Sequence, residues 1–348
     1  MRLAQRLGLR HPLIQAPMAG TSTPSLAAAV CEAGALGSVA VGAVDAGTAR
    51  TMIADLRART ARPFNVNAFV HHRALRDLAA EQAWIAAMAP LFERFGAAPP
   101  AALNEIYRSL NDDPDMLAVL VEAAPAVVSF HFGLPTDEAI AALKARGCML
   151  MASATSLAEA EAAVAAGMDA VVAQGFEAGG HRGVFDPEAP DERMPTLDLV
   201  RLLSSRLDVP VIAAGGIMDG ADIRRALDAG ADAAQLGTAF VGCPESAADA
   251  GYRAMLARAK GTTLTAAISG RPARCLDNDF VAWARDTDAR VPGYPVTYDA
   301  GKALIAAAKG AGECGFGAHW AGTQFARARP MPAGELVMLL AQEAGFDA

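Results

Sequence analysis

The sequence predicts an α/β fold, a (β/α)8 barrel with a smaller, mainly helical second domain at the barrel mouth. Eight short apolar runs alternate with Ala- and Leu-rich helical patterns. The apolar runs lack polar alternation, which indicates parallel strands that are covered on both faces. Eight strand-then-helix units are the number that closes such a barrel. A doubly wound open sheet is the less favoured alternative, because no Gly-rich fingerprint follows the first strand.

The elements are expected in a regular order along the chain. Helices should begin near Pro24, span 46–60, and start after Thr136, Ser156 and Asp219, whose side chains are typical N-caps. The strands are expected at 12–18, 36–42, 63–69, 126–132, 148–154, 170–175, 210–216 and 233–240.

Two longer segments interrupt this alternation. Residues 74–120 and 241–312 follow the third and eighth strands, at the strand ends where barrels place their active-site loops. We expect these segments to pack together as a helical lid and substrate domain. The barrel would then comprise 1–73, 121–240 and 313–348, with the last segment returning as its closing helix.

Composition excludes several classes of protein. The chain has 348 residues, of which 53% are hydrophobic, so it can build a large core. A net charge of −8 without a Lys/Arg-rich run argues against nucleic-acid binding. No apolar stretch reaches the roughly 20 residues of a membrane helix, and no signal-peptide pattern is present. The five dispersed cysteines form no metal-like cluster. We expect a metal-free cytoplasmic protein, a monomer or homodimer.

Two glycine-containing corners follow the seventh and eighth strands. Gly215-Gly216 and Gly237-Thr238 allow backbone N–H groups to approach an anion closely. This corner is the usual phosphate-binding site of a barrel. An alternative remains, in which the glycines serve only tight turns.

Polar amides are expected at the barrel mouth. Gln174 ends the sixth strand and Asn67 lies on the third. An amide at such a position needs partners, and it suits a heterocyclic ring edge such as a flavin pyrimidine. The small, kinked residues 16–18 leave room for a flat ring. Together with the phosphate corner, these features fit flavin mononucleotide (FMN).

His131 ends the fourth strand between Phe130 and Phe132. Strand alternation predicts that both phenylalanines face the helix layer while His131 faces inward. The histidine is then either a satisfied core residue or an active-site hydrogen-bond donor or base.

Six motifs are spread along the chain, namely QAPMAG (15–20), SFHFG (129–133), VAQGFEAGGHRG (172–183), PVIAAGGIMDG (210–220), QLGTAF (235–240) and YPVTYDAGKAL (294–304). Together they resemble the nitronate monooxygenase family, in its class I branch. The resemblance implies an FMN-dependent enzyme that oxidises alkyl nitronates, in particular propionate 3-nitronate, with O2. The products would be carbonyl compounds and nitrite or nitrate, which is a detoxification.

The resemblance also implies site residues. FMN contacts would fall on Ala16, Pro17, Met18, Asn67, Gln174, Gly179, Gly180, Gly215, Gly216, Gln235, Leu236, Gly237 and Thr238. The substrate pocket would comprise Tyr107, His131, Tyr252, Tyr294, Tyr298 and Lys302. The spacing of the last three predicts one helix face. Two alternatives remain open. One is an FMN-dependent NAD(P)H reductase, either an NADH:quinone or an enoyl-carrier-protein reductase, and the other is a non-enzymatic flavin- or phosphate-binding protein.

Overall fold

A closed parallel barrel forms the centre of the computed structural model, which describes residues 2–346. The barrel strands are hydrogen-bonded in the order β1-β9-β8-β6-β5-β4-β3-β2, and a bridge between Ile14 and Leu36 joins the two edges. The predicted (β/α)8 barrel is confirmed. The strands are β1 (Leu13–Gln15), β2 (Gly37–Ala40), β3 (Phe64–Phe69), β4 (Val127–His131), β5 (Met149–Ala154), β6 (Ala170–Gln174), β7 (Gly180–His181), β8 (Val211–Ala214), β9 (Ala233–Leu236), β10 (Thr262–Thr265) and β11 (Ala273–Leu276).

Helices follow the barrel strands and pack on their outer face. The predicted caps are confirmed, because the side chains of Thr136, Ser156 and Asp219 each accept a hydrogen bond from a backbone N–H of the following helix. The helices are α1 (Arg2–Leu7), α2 (Pro24–Glu32), α3 (Ala46–Arg59), α4 (Leu78–Arg94), α5 (Pro114–Ala123), α6 (Asp137–Ala145), α7 (Leu157–Ala165), α8 (Thr196–Ser204), α9 (Gly220–Asp228), α10 (Thr238–Val241), α11 (Ala250–Arg258), α12 (Asp279–Asp286), α13 (Val296–Gly310) and α14 (Ala333–Glu343).

Several predicted strands are too long, among them 12–18, of which only Leu13–Gln15 is strand, and 233–240. The run 233–240 leaves the sheet after Leu236, and its second half forms the short helix α10. The backbone of Gly237 is already near-helical, with φ −106° and ψ −69°, so it cannot continue the ladder. This early ending places the N–H groups of α10 at the barrel mouth.

The barrel has two hydrophobic layers. Val128 and Phe130 of β4 belong to the outer layer between strands and helices, whereas Val127 of the same strand faces the interior. This division follows from the two-residue period of a strand. The interior is filled near the strand starts by apolar side chains, with Leu3 of α1 closing that end. The opposite end, where the strands finish, is therefore left for polar side chains.

A second hydrophobic cluster lies outside the barrel. Trp84 and Met88 of α4 pack with Ala300 and Leu304 of α13 and with Phe280 of α12. The cluster is accompanied by an antiparallel sheet in the order β10-β11-β7, which the sequence pattern did not predict. Strand β7 belongs to the loop after β6, so this sheet attaches the second unit directly to the barrel.

Helix α5 belongs to the barrel layer rather than to this second cluster. Met116, Val119 and Leu120 are buried in the outer barrel core, and α5 packs on α3 and α6. The segment 74–120, expected to lie wholly in the second unit, therefore contributes to both. The helix spans only ten residues, so the rest of the segment can still reach the barrel mouth.

Residues 2–346 contain neither a helix suited to cross a membrane nor a cluster of metal ligands. No helix there combines the length and apolar character needed to cross a membrane. No group of three or more His, Cys, Asp or Glu side chains within that range is placed to hold a metal ion. The five cysteines are all free thiols.

Replacing Leu304 by Ala should destabilise the second unit, because this side chain is wholly buried in its cluster. We expect a loss of about 2–5 kcal/mol. Denaturant unfolding followed by tryptophan fluorescence is the measurement, since Trp84, Trp283 and Trp320 all lie in or against that cluster. Leu78→Ala is the matched control, at a position that is 69% exposed. Equal losses from both substitutions would contradict this account.

Candidate active site

A cavity of about 610 Å³ lies at the carboxyl ends of the barrel strands. Its walls come from the strand ends on one side and from the second unit on the other. All but one of the residues singled out from the sequence line it, namely Ala16, Pro17, Met18, Asn67, Tyr107, His131, Gln174, Gly179, Gly180, Gly215, Gly216, Gln235, Gly237, Thr238, Tyr252, Tyr294, Tyr298 and Lys302.

Leu236 is the exception. Its side chain is 1% exposed and packs in the outer barrel core, so it does not line the cavity. The reason is strand alternation, because Gln235 and Gly237 on either side face the cavity. The carbonyl of Leu236 accepts a hydrogen bond from the Ala16 N–H at 2.8 Å, which holds β1 beside β9.

The amide of Gln174 is oriented by the protein. Its Oε1 accepts hydrogen bonds from the Gly183 N–H at 2.7 Å and from Arg182 Nη1 at 3.2 Å, and its Nε2 donates to the His181 carbonyl at 3.0 Å. Arg182 is in turn held by Asp191, 2.8 Å away. An amide nitrogen carries two hydrogens, so one N–H of Gln174 is left for a ligand in the cavity.

Asn67 leaves an acceptor free for a ligand, whereas Gln174 leaves a donor. Its Nδ2 donates to the carbonyl and the hydroxyl of Ser129, at 3.1 and 3.0 Å. Both amide hydrogens are thereby used, which leaves Oδ1 as an acceptor. Gln174 and Asn67 therefore give the cavity a donor amide and an acceptor amide, as a heterocyclic ring edge with both kinds of group requires.

The corner after β8 has free backbone donors. Gly215 and Gly216 have φ values of +126° and +70°, and a Cβ on Gly215 would lie 2.8 Å from Thr196 Oγ1. Within residues 2–346 the N–H groups of these two glycines have no hydrogen-bond acceptor. Unpaired N–H groups beside a cavity suit an anion such as a phosphate. The hydroxyl of Thr238, which accepts from the Gly322 N–H at 3.0 Å, can also donate there.

Both ring nitrogens of His131 are hydrogen-bonded within the protein. Its Nε2 lies 3.2 Å from the His181 carbonyl, and its Nδ1 lies 2.9 Å from the Ser153 hydroxyl. A carbonyl only accepts, so Nε2 carries the proton and Nδ1 accepts from Ser153. Burial lowers the pKa of His131 to about 4, so the ring is neutral at physiological pH.

His181 is a cavity residue that was not predicted from the sequence. Its Nε2 lies 2.9 Å from Ser269 Oγ, whose own hydrogen is donated to the Arg271 carbonyl at 3.2 Å. Nε2 of His181 is therefore the donor, and Nδ1 is an acceptor that has no partner within the described chain. Burial lowers the pKa of His181 to about 3. Its position in the AGGHRG turn was the available signal, but the turn gave no sign of pairing with β11.

Phe132 also lines the cavity, contrary to prediction, as part of a buried aromatic cluster. It was expected to pack outward against the helices, as Phe130 does. Strand β4 ends at His131, and Phe132 adopts a φ of +80°, so alternation no longer decides its direction. Its ring lies 5.0 Å from Phe69 and 5.4 Å from Tyr294, between ring centroids.

The tyrosines form an aromatic wall around Lys302. The Nζ atom of Lys302 lies 4.8 Å from the Tyr107 ring centroid and 5.7 Å from that of Tyr298. Burial lowers the pKa of Lys302 and raises the pKa of Tyr298 to about 12, so a cation lies among neutral phenols. The hydroxyl of Tyr294 is buried without a hydrogen-bond partner. Tyr252 donates to the Trp320 carbonyl.

Of the three pocket residues in the YPVTYDAGKAL motif, only two share a helix face. Tyr298 and Lys302 lie on α13, one turn apart, but Tyr294 precedes the first residue of that helix. The expectation of a single helix face for all three is therefore wrong. Tyr294 still reaches the cavity, from the connection that leads into α13.

Comparison with known proteins identifies the family. The sequence profile described as nitronate monooxygenase matches residues 1–343. A protein named nitronate monooxygenase from Paraburkholderia phytofirmans is 58% identical over 340 residues, which cover 97% of this chain and 93% of that protein. The chain belongs to the nitronate monooxygenase family. Another relative of that name, from Pseudomonas aeruginosa, is 51% identical over 98% of both chains.

Solved structures support the same family fold. A nitroalkane oxidase from Streptomyces ansochromogenes superposes with a TM-score of 0.89 at 40% identity, over 99% of this chain and 98% of that one. FabK from Thermotoga maritima gives a TM-score of 0.74 at 28% identity, over 99% and 95% of the two chains. The family resemblance and the enzyme class predicted from the motifs are confirmed.

Stability should fall in mild acid, because burial makes the cavity histidines hard to protonate. The pKa of His131 is about 4 in the folded protein and 6.5 in an exposed chain. Between these values the unfolded chain binds more protons, so stabilisation is complete above about pH 6.5 and is lost as the pH falls toward 4. His181 acts in the same direction.

The measurement is the thermal midpoint between pH 7.5 and pH 5. His131→Gln should reduce the acid-induced fall without abolishing it, since His181 remains. His72→Gln, at an exposed position outside the cavity, is the matched control. An unchanged fall in His131→Gln would count against a buried neutral ring.

Proposed function

We propose that the chain is an FMN-dependent monooxygenase that oxidises alkyl nitronates with O2, giving carbonyl compounds and nitrite or nitrate. Propionate 3-nitronate is the proposed physiological substrate and detoxification the proposed role. One observation carries the proposal: a single cavity combines a donor and an acceptor amide, unpaired N–H groups at its glycine corner and the ammonium of Lys302 beside two phenol rings. Membership of the nitronate monooxygenase family supports it.

The residues present fit FMN. The spare N–H of Gln174 and the free Oδ1 of Asn67 match a ring edge that has both acceptors and donors. The N–H groups of Gly215 and Gly216 and the hydroxyl of Thr238 match a phosphate. When bound, FMN would supply the electron transfer and the reaction with oxygen. The protein would supply binding, orientation and electrostatics.

Lys302 is proposed to bind the substrate carboxylate. Propionate 3-nitronate carries a carboxylate in addition to the anionic nitronate group. Within the described chain no carboxylate forms an ion pair with Lys302, so its ammonium can pair with one from the substrate. The unpartnered hydroxyl of Tyr294 offers a further hydrogen bond to a nitro oxygen.

The histidines favour a nitronate over a neutral nitroalkane. A nitroalkane must first lose a proton from carbon, whereas a nitronate has already lost it. His181 Nδ1 is the free acceptor in the cavity, but a base whose pKa is lowered to about 3 is poorly matched to that step near neutral pH. His131 has no free nitrogen. The Streptomyces nitroalkane oxidase makes nitroalkanes a second candidate substrate class.

The second unit, formed largely by 74–109 and 241–312, is proposed to act as the lid and substrate domain. It contributes Tyr107, Tyr252, Tyr294, Tyr298 and Lys302 to the cavity wall. The barrel contributes the groups proposed for FMN. A cytoplasmic location is also proposed, since the five thiols are free, as in a reducing compartment.

Activity with a nitronate tests the proposal directly. The purified protein should be yellow, release stoichiometric FMN on denaturation, and consume O2 with propionate 3-nitronate in the absence of NAD(P)H. An oxygen electrode and product nitrite are the readouts. A colourless protein would contradict the cofactor assignment. Rapid NADH oxidation with a quinone, without nitronate turnover, would favour the alternative FMN-dependent reductase.

Lys302→Met should raise the KM for propionate 3-nitronate by roughly tenfold or more, because a charge-assisted hydrogen bond is lost. The KM for ethylnitronate, which has no carboxylate, should rise far less. Steady-state oxygen consumption measures both. Lys309→Met is the matched control, on the same helix but with its ammonium paired to Asp249, 2.6 Å away at the surface. An equal rise for both substrates would reject a carboxylate-binding role for Lys302.

A further inference from the structure

A buried guanidinium lies directly behind the cavity wall. Arg271 is 2% exposed, and its Cζ lies 4.3 Å from the centroid of the Phe132 ring. Phe132 lines the cavity, whereas Arg271 does not. The phenyl ring, which is itself 0% exposed, therefore lies between the positive charge and the cavity, and its packing keeps water from screening that charge.

The charge of Arg271 has no counter-ion among residues 2–346. The two carboxylates that act on it, Glu159 and Asp186, lie beyond salt-bridge distance. Its Nη2 donates to the Val184 carbonyl, but its Nε is buried without a partner. Burial lowers the pKa of Arg271 only to about 10, so the guanidinium stays charged. Burying a charge without a carboxylate partner costs stability, and the contacts with the Phe132 ring and the Val184 carbonyl do not neutralise the charge.

The groups around this charge are neutral. His131 and His181 each have one ring nitrogen that donates to a neutral partner, and their lowered pKa values keep them uncharged. The Tyr294 phenol, whose pKa burial raises, is also uncharged. An anion on the cavity side of Phe132 would therefore experience the field of Arg271 with no carboxylate ion-paired to the guanidinium.

We propose that Arg271 is a positioning residue that favours an anionic substrate in the cavity, acting through the ring of Phe132. The inference rests on the proposed nitronate oxidation. It adds that the positive charge of Arg271 lets the cavity distinguish an anion from a neutral molecule of similar shape. Lys302 would bind the carboxylate of a substrate that has one. Arg271 would favour the negative charge that every nitronate carries at its reacting end.

Charge-neutral variants of the holoenzyme test this proposal. R271Q removes the charge, and R271K keeps it. In R271Q the KM for ethylnitronate and the inhibition constant of nitrate, an inert planar anion, should both rise by roughly tenfold or more. The kcat should change by less than about threefold, because the reacting groups are untouched. R271K should stay within about threefold of the parent in both constants.

R274Q is the matched control. Arg274 is also a buried arginine of the same segment, with its guanidinium 4.7 Å from the Phe176 ring, but neither residue lines the cavity. A loss that comes only from removing a buried arginine would lower the thermal midpoint of both variants and leave both KM values alone. A selective rise in R271Q supports the proposal, and equal behaviour of R271Q and R274Q overturns it.

Three further outcomes are decisive. If R271Q does not fold, R271K decides, because a tenfold rise of its KM would show that charge is not the property that matters. If the parent enzyme does not oxidise ethylnitronate at all, the proposed function itself fails. If the parent is active and R271Q keeps its KM and its nitrate inhibition, only the inference about Arg271 fails.

Discussion

The backbone carbonyl of His181 accepts two hydrogen bonds from the barrel, one from Gln174 Nε2 at 3.0 Å and one from His131 Nε2 at 3.2 Å. These bonds determine the tautomer of one side chain and the orientation of the other. The same residue lies on β7, which pairs with β11 of the second unit. Much of the polar geometry of the cavity therefore depends on the position of one peptide group, supported from behind by Arg182 and its ion pair with Asp191.

The barrel could be predicted from sequence because its signals are local. Continuous apolar runs such as 148–154 indicate parallel strands, and caps such as Ser156 mark where helices begin. The gathering of Asn67, Gln174 and Gly216 into one cavity also follows, since parallel strands in a barrel end on the same side. Residues far apart in sequence thus converge because the alternation of strands and helices brings every strand end to one rim.

The remaining features depend on long-range contacts that leave no local pattern. Strand β10, Thr262–Thr265, is short and half-exposed, so it has no apolar run to reveal it. The sequence around His181 indicates only a glycine-rich turn, and its pairing with β11 is visible only in the structure. Phe132 reverses its expected direction through a single positive φ angle. Tyr294 lines the cavity although it precedes α13, so the spacing of the motif along a helix could not place it.

The net charge of the chain is −8, yet the cavity wall contains neutral phenols and imidazoles and the cation Lys302, and Arg271 lies behind that wall. The wall is also shared, since the barrel contributes one side and the second unit the other. A molecule that fills the space must touch both units, and it can remain bound only while they are apposed. A molecule that binds only when the two units are in contact favours that contact by mass action. The stability of the contact therefore increases with the occupancy of the cavity. A higher concentration of the bound molecule therefore stabilises the contact between the barrel and the second unit.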